Sequence, residues 1–531
     1  MPAFQYFFRY IKKLVFALLF CLPVIFCSAQ NNKIRCFFNH PVNNYISTGF
    51  NAVYANGSFA DTIAAYISRA KYSIDVAVYN FSSTAFSNVY KIALAANAAA
   101  ARGVVIRWIY DGSNSNTGLS LLGSGIITYA SPVASGYIMH NKFVVIDASS
   151  NDYNDPVIIT GSYNFSDQQT NEDYNNILII QDKNIALAYY NEFNKMWGGT
   201  ASKPNPGNAT FGSKKTTSSQ RIFIVDGNTI EVYFSPKDSV GLHLQDAVNT
   251  AGYDLFFGIY TFTDNAIAKL IKDKYNSGVQ VRGIVDNFST PFAAYATLNP
   301  VLAGNLITYK GPGVYHNKIM LIDALNPASD PQVFTGSFNW SLAAENSNDE
   351  NAVIIHNAAI ANQYYQSLCN NFTFLGGIPC VSPPCPNANT VFVSGKRGNT
   401  YQWQLNTGTG FSNITSGSNY SGVTTENLLL YNTPSSWYGY QYRCLVNGST
   451  YSDTNTLKFT AYWNGNASTA WENTANWNCG ILPDANTDVI INSGVKYFPV
   501  LNASTRFRSL SVNKNARLSI IKNTSLSLKG N

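Results

Sequence analysis

Short apolar runs and longer alanine-rich stretches take turns along the first part of the chain. Ser73-Ile74-Asp75-Val76-Ala77-Val78-Tyr79 has the length and branching of a strand, Ala85 to Ala101 predicts a helix, and Val104 to Tyr110 predicts a second strand. Phe143 to Ile146, Val157 to Ile159 and Asn176 to Ile180 predict further short buried strands. Strands separated by helices imply an α/β layered fold. Lys203-Pro204-Asn205-Pro206-Gly207 through Ser219 has the Pro, Gly, Ser and Lys content of a connector. After Pro379 the pattern changes to short alternating strands in a background of Ser, Thr, Asn and Gly, which predicts an all-β region.

The same pattern occurs twice. His140-Asn141-Lys142 and the run Phe143-Val144-Val145-Ile146-Asp147 return as His316-Asn317-Lys318 and Ile319-Met320-Leu321-Ile322-Asp323. Thr160-Gly161-Ser162-Tyr163-Asn164-Phe165-Ser166 returns as Thr335-Gly336-Ser337-Phe338-Asn339-Trp340-Ser341. Upstream, Ile106 to Asp111 matches Val281 to Asp286, and Ile185-Ala186 before Tyr189-Tyr190 matches Ile360-Ala361 before Tyr364-Tyr365. Two copies of about 150 residues therefore run from Ala52 to Trp197 and from Glu231 to Phe374.

The amino terminus adds an export signal. Arg9, Lys12 and Lys13 precede an apolar run from Leu14 to Cys27, and Ser28-Ala29-Gln30 follows, so cleavage is expected after Ala29 and the protein outside the cytosol or at the cell surface. Losing those three basic residues lowers the net charge from +6 to +3, a balance that neither requires nor excludes a nucleic-acid partner. Of the eight cysteines, Cys21 and Cys27 leave with the leader, and disulfides are permitted for the six that remain. Cys380 and Cys385 flank Val-Ser-Pro-Pro and are placed to close a small loop. No Cys/His spacing resembles a zinc site, so neither a metal nor another cofactor is expected.

Two imidazoles, each two residues from a lysine, suit the cleavage of a phosphodiester. One imidazole attacks phosphorus, the other donates a proton to the departing alcohol, and cations or amide donors hold the phosphoryl oxygens. On a strand, Lys142 and Lys318 point to the same side as their histidines. Asn164 and Asn339 can donate to the same oxygens. Asp147 and Asp323, at strand ends, are expected to hold local structure. His40, His243 and His356 lack the duplicated context and are expected to be ordinary core or edge histidines.

His-x-Lys-x4-Asp followed by Gly-Ser-x-Asn, twice in one chain, resembles the phospholipase D superfamily. The resemblance implies two fused α/β halves (mixed sheets flanked by helices) sharing one active site, with a covalent phosphohistidine and no metal. It implies His140 as nucleophile, His316 as general acid, Lys142 and Lys318 on the phosphate, and substrate contacts from Asn164, Asn339, Ser162 and Ser337. It also assigns Glu350, in Asn348-Asp349-Glu350-Asn351, to orienting an imidazole. A partnership with His316 would keep that ring protonated, while Asn175 takes the corresponding place in the first copy, with Glu172 or Asp173 as substitutes. Phospholipid headgroup hydrolysis is the activity this resemblance favours, with a membrane surface as partner. An endonuclease acting on DNA or RNA is the alternative within the superfamily, and an inactive binding or adhesion protein is the third reading. Phe262, Tyr315 and Trp340 are aromatic candidates for lipid or base contacts.

In the carboxy-terminal third, Tyr401-Gln402-Trp403 and Tyr442-Arg443-Cys444 resemble an immunoglobulin-like sandwich, with Trp403 in the core and Tyr442 as corner tyrosine. Val391-Phe392-Val393 stands where the partner cysteine belongs, so Cys444 is expected to be buried and unpaired. The segment from Trp463 resembles accessory β modules on secreted and surface proteins of Bacteroidetes-type bacteria. Its tryptophans suit core packing more than carbohydrate or cell-surface binding. The strand pattern is still running at Gly530-Asn531, as in an incomplete module. The expected organisation is a signal peptide (1–29), a first half (30–202), a linker (203–220), a second half (221–378), an Ig-like domain (386–460) and a β-rich module (461–531).

Overall fold

A computed structural model describes residues 33–530, apart from 48–49, 328, 378–383, 395–397, 453, 464, 466, 492–494 and 513–515. The expected export signal and Cys380 lie outside the described residues. The first half comprises β1 (Ile34–Phe38), β2 (Val53–Tyr54), α1 (Phe59–Arg69), β3 (Ser73–Val78), β4 (Phe81–Ser82), α2 (Tyr90–Ala101), β5 (Val105–Tyr110), β6 (Ile127–Ala130), β7 (Lys142–Ile146), β8 (Val157–Gly161), β9 (Phe165–Ser166), α3 (Asp167–Asn171), β10 (Asn176–Ile180) and α4 (Lys183–Trp197). The second half repeats the plan with β11 (Ile222–Val225), β12 (Asn228–Ser235), α5 (Val240–Thr250), β13 (Asp254–Ile259), α6 (Asn265–Asn276), β14 (Gln280–Asp286), α7 (Ala293–Leu302), β15 (Leu306–Tyr309), β16 (Lys318–Ile322), β17 (Gln332–Gly336), α8 (Leu342–Asn346), β18 (Glu350–His356) and α9 (Ala358–Phe374).

Each half is built on one mixed sheet of eight strands, ordered β2-β1-β10-β8-β7-β3-β5-β6 and β11-β12-β18-β17-β16-β13-β14-β15. β3, β5 and β6 run parallel, as do β13, β14 and β15, whereas β7 and β16 lie antiparallel to β3 and β13. The ends of β3 and β5 and the beginning of β7 therefore lie along one edge, and that edge carries the histidines. The predicted strands match within two residues. The predicted helix from Ala85 begins only at Tyr90, because Ser83, Thr84 and Ser87 satisfy backbone and each other in a preceding turn.

Three apolar clusters hold the halves. One lies on the outer face of each sheet, and a third, containing Phe143, Leu178, Phe193 and Trp197 from the first half and Phe256, Ile319, Tyr364 and Phe372 from the second, is common to both. α4 and α9 occupy this shared core. Asp182 caps α4 by accepting from the amides of Asn184 and Ile185, and Asn357 caps α9 through Ile360. Cys36 and Cys369 are buried in it, and the Cys36 thiol donates to Gln363 Oε1 (3.1 Å).

Farther along, two antiparallel sheets enclose a core of Phe392, Trp403, Leu428, Tyr442 and Cys444. Cys444 is buried and free, as expected. The Tyr442 hydroxyl meets that of Tyr420 at 3.3 Å rather than a backbone group. Cys385 is bonded to Cys479, so the expected small loop with Cys380 is replaced by a link between the sandwich and the last module. Among the described residues, the strands of that module pair in parallel. Asp488 pairs with Ser509, Val500 with Ser519 and Thr505 with Leu526, all in parallel, so that successive coils of similar length stack as in a β-solenoid. Trp463, Trp471 and Trp477 are buried in its core. Among the described residues, no helix is long and apolar enough to cross a membrane.

Candidate active site

The repeated motifs converge where the two sheets meet edge to edge. Met139 forms a bridge with Asp349, the His140 amide donates to the Asp349 carbonyl (2.9 Å), and the Asp349 amide donates to Ile138 (3.1 Å). Tyr174 N–H donates to Val314 in the equivalent place (3.0 Å). Below them, Asn351 takes the Lys142 amide (3.1 Å) and donates to Thr160 (2.6 Å), while Asn176 takes Thr335 (3.0 Å) and donates to Asn317 (2.8 Å). This seam binds each histidine strand to the opposite half.

The glycine of each Gly-Ser makes the approach feasible. Gly161 and Gly336 have φ of 138° and 143°, and a Cβ at either would fall 2.3 or 2.2 Å from the carbonyl oxygen of Asn176 or Asn351. The final serines of the repeat, Ser166 and Ser341, are the N-caps of α3 and α8. Asp147 and Asp323 play the structural part expected of them. Asp147 accepts the amides of Lys71, Tyr72 and Ser73 at the start of β3 (2.8, 2.7 and 2.9 Å), and Asp323 those of Gly252, Tyr253 and Asp254 at the start of β13 (3.0, 2.8 and 3.1 Å).

His140, His316, Lys142 and Lys318 are all buried. Nδ1 of His140 lies 2.7 Å from Glu350 Oε2, and Nδ1 of His316 lies 3.0 Å from Asn175 Oδ1. This reverses the expected pairing. Each orienting group serves the histidine of the other half, because the chain after β8 or β17 crosses the seam before entering β10 or β18. Asp173 and Glu172 do not replace Asn175. Asp173 instead accepts the Val314 amide (2.8 Å).

Ser162 and Ser337 are likewise corrected. Their hydroxyls donate to Asn175 (2.8 Å) and Glu350 (2.7 Å), so they fix the orienting groups rather than face substrate. Asn164 is buried, with no partner for its Oδ1 among the described residues, and Asn339 is half-buried. Phe262, Tyr315 and Trp340 are fully buried and belong to the core. The aromatics at the site are Tyr79 and Tyr260, which repetition of Tyr-x-Phe after β3 and β13 could have revealed. Their rings contact His140 (4.8 Å) and His316 (5.4 Å), with Lys142 and Lys318 Nζ over them at 5.2 and 5.3 Å. His40 stacks on Tyr174, His243 stacks on Tyr233, and His356 bonds Glu231 and Asp330, all apart from the two catalytic candidates.

Burial, and then the two lysines, push both imidazoles well below their usual pKa, so the expected upward shift at His316 is not found. Burial lowers Lys142 to about 7, and burial together with Lys142 lowers Lys318 strongly. Burial also raises Glu350 to about 8, against the pull of Lys142 and Ser337. Each of the four basic groups would gain from an anion between them. The geometry thus provides two imidazoles with fixed Nδ1 partners beside two buried lysines, a basic cluster that an anion would stabilise.

Residues 63–197 and 244–370 match the family described as "Cardiolipin synthase, PLD-like domain", and residues 462–531 match a domain family of unknown function. A phospholipase D of Rickettsia bellii (strain RML369-C) is 30% identical over 140 residues, 26% of this chain and 66% of that protein. A mitochondrial cardiolipin hydrolase of Xenopus tropicalis is 33% identical over 132 residues, 24% of this chain and 56% of that protein. The chain thus spans less than two thirds of the length of either relative. Among solved structures, a phosphatidylserine synthase of Haemophilus influenzae Rd KW20 shares 12% identity over 64% of this chain and 86% of its own, with a TM-score of 0.45.

Proposed function

Because this chain belongs to the phospholipase D superfamily, we propose that its two halves form one phosphodiesterase site that hydrolyses phospholipid headgroups through a phosphohistidine. The observation that carries this reading is the anchoring of each imidazole Nδ1 by a group from the opposite half, which leaves the two Nε2 atoms for substrate. His140 acts first as nucleophile. Its Nε2 bonds to phosphorus, the bond from phosphorus to the leaving alcohol breaks, and that oxygen takes the proton from His316 Nε2. Glu350 accepts from Nδ1–H of His140 and offsets the charge the ring acquires on bonding phosphorus. Asn175 is neutral, so it stabilises the His316 imidazolium less and leaves its proton easier to transfer.

Substrate binding prepares the acid. A phosphate anion between Lys142 and Lys318 raises the affinity of His316 for its proton. In the second step water gives a proton to His316 Nε2 and attacks phosphorus. The phosphorus–nitrogen bond breaks, and His140 and the phosphate monoester are released. Lys142, Lys318, Asn164 and Asn339 hold the nonbridging oxygens throughout. The names of the phospholipase D and cardiolipin hydrolase relatives support a lipid phosphodiester. The basic head and apolar run before Ala29 support export, and the Cys385–Cys479 bond fits an oxidising compartment. Trp403 in the core and the Tyr442-x-Cys444 spacing support an immunoglobulin-like reading of the sandwich.

The test offers phosphatidylcholine vesicles and plasmid DNA side by side in excess EDTA, with His140→Ala protein as blank. Headgroup release without nicking is expected. Nicking alone would make the protein a nuclease, and dependence on an added divalent cation would overturn the mechanism.

A further inference from the structure

We propose that the loops ringing the catalytic cleft form a docking surface for a zwitterionic phospholipid bilayer, into which Phe86, Val133 and Leu342 insert. The inference rests on the reading of the site as a lipid phosphodiesterase and adds the kind of surface from which it takes substrate.

The sheet topology places the relevant loops together. β3, β5, β6 and β8 end, and β7 and β10 begin, along the edge that carries His140, and the second half repeats this around His316. The loops at this edge are residues 79–89, 111–126, 131–141 and 162–175 of the first half. Those of the second half are residues 236–239, 260–264, 287–292, 310–317 and 337–349. Large apolar side chains stand in water on both sides of the cleft. Phe86 is 100% exposed and Val133 72% on one side, and Leu342 is 66% and Phe288 51% exposed on the other. Two of these loops hold catalytic histidines, and Phe288 stacks on Tyr260 (5.5 Å), the ring in contact with His316.

The charge of the same loops says what they meet. Lys237 and Lys310 are the only lysines or arginines among them, and exposed Lys214 adjoins them where Gly212 and Lys215 bond Asp349. Asp167, Glu172, Asp264 and Glu345 outnumber these three lysines, while Asp111, Asp173, Asp238 and Asp349 are buried. A nucleic-acid backbone needs a track of cations, and an anionic membrane gains from basic side chains near its surface. Neither finds a net positive surface here. Four exposed apolar side chains around a rim without net positive charge instead suit insertion among zwitterionic headgroups. At the opposite end of the first sheet, exposed Tyr72 and Tyr153 are interspersed with Arg69, Lys71, Asp152, Asp155 and Lys183, and Lys183 lies over the Tyr153 ring (4.7 Å). The contrast assigns docking to the cleft end. Because His140 and His316 are only 5% exposed, a headgroup must enter the cleft, and a rim seated in the membrane interface shortens that path.

The test uses full-length protein carrying His140→Ala, with and without Phe86→Ser, Val133→Ser and Leu342→Ser together. Sedimentation with phosphatidylcholine vesicles is measured with and without phosphatidylglycerol and added salt. The triple substitution should lower partition by about tenfold or more, as expected for losing three inserting side chains. Salt should not weaken binding, and phosphatidylglycerol should not strengthen it. In the His140-containing background, the triple variant should hydrolyse monomeric short-chain phosphatidylcholine like the parent, which also reports correct folding. Unchanged partition of the triple variant overturns the proposal, as does binding that requires phosphatidylglycerol and disappears in salt. Preferential capture of a single-stranded oligonucleotide over vesicles overturns it as well. Failure of headgroup release in every form would overturn the catalytic reading alone, because partition is scored on inactive protein.

Discussion

At the scale of single residues, the site concentrates basic groups that repel one another. Lys142 is held to about 7 by burial, against 10.5 in an unfolded chain. Below pH 7 it is charged in both states, and the whole cost of burying it falls on the native protein. Between 7 and 10.5 the unfolded chain keeps a proton that the native protein lacks, so this residue makes stability rise with pH, and above 10.5 the penalty is gone. Lys142→Met should therefore abolish turnover yet stabilise the free protein by roughly 2–4 kcal/mol below neutrality, the gain fading as pH rises toward 10.5. Urea unfolding of both proteins across that range measures it. A variant less stable than the parent at low pH would mean that the ammonium is already compensated. The identity of these groups was readable from two copies of one motif. The partners were not, since Glu350 and Asn175 follow their own Gly-Ser motifs in sequence yet serve the opposite histidine, a consequence of which sheet edges meet.

At the scale of elements, the connector expected across 203–220 proves to be a strap. Lys215 is buried and its Nζ bonds Glu192 of α4 (2.5 Å), Asp349 before β18 (2.7 Å) and the Ser235 carbonyl (2.7 Å). Asp349 also takes Tyr137 OH (2.6 Å) and Gly212 N–H (2.8 Å), while its backbone brackets His140. Removing one member of such a cluster leaves buried charges uncompensated. Lys215→Met should cost about 3–5 kcal/mol of stability. By loosening the segment between His140 and Glu350, it should also lower kcat by about tenfold or more with little change in KM. A Lys215→Met, Asp349→Asn double variant should recover part of both losses in a double-mutant cycle. Equal loss in the single and double variants would reduce the strap to a passive tether. Strands were readable here because each is a short apolar run, whereas a polar, Pro-containing stretch carries no mark of which lysine it will bury. The last module shows the same limit: its strands were visible, but their parallel stacking depends on pairing between successive coils.

At the scale of the whole molecule, the chemistry and the carboxy-terminal modules occupy separate cores. The sandwich and the solenoid-like module are linked by Cys385–Cys479, a bridge spanning 94 residues that no spacing rule could assign, because the partners meet only once both modules have folded. The last module reaches the catalytic region through Tyr253, which packs against its core and precedes β13. Tyr260, the ring against His316, lies at the other end of that strand, about 20 Å away for six residues of β structure. A disturbance at Tyr253 must therefore cross a strand whose six residues are all buried. Reduction of the disulfide should destabilise the carboxy-terminal modules by up to about 4.7 kcal/mol, the loop-closure value for a bridge this long. Turnover of a soluble phosphodiester should not change. Ending the chain after Ser382 should likewise retain that turnover, with a lower Tm from exposure of Tyr253. Thermal unfolding followed by near-ultraviolet dichroism, run beside a soluble-substrate assay, separates the two effects. Parallel loss of turnover and carboxy-terminal structure would mean that the modules help hold the β13 edge on which His316 is aligned.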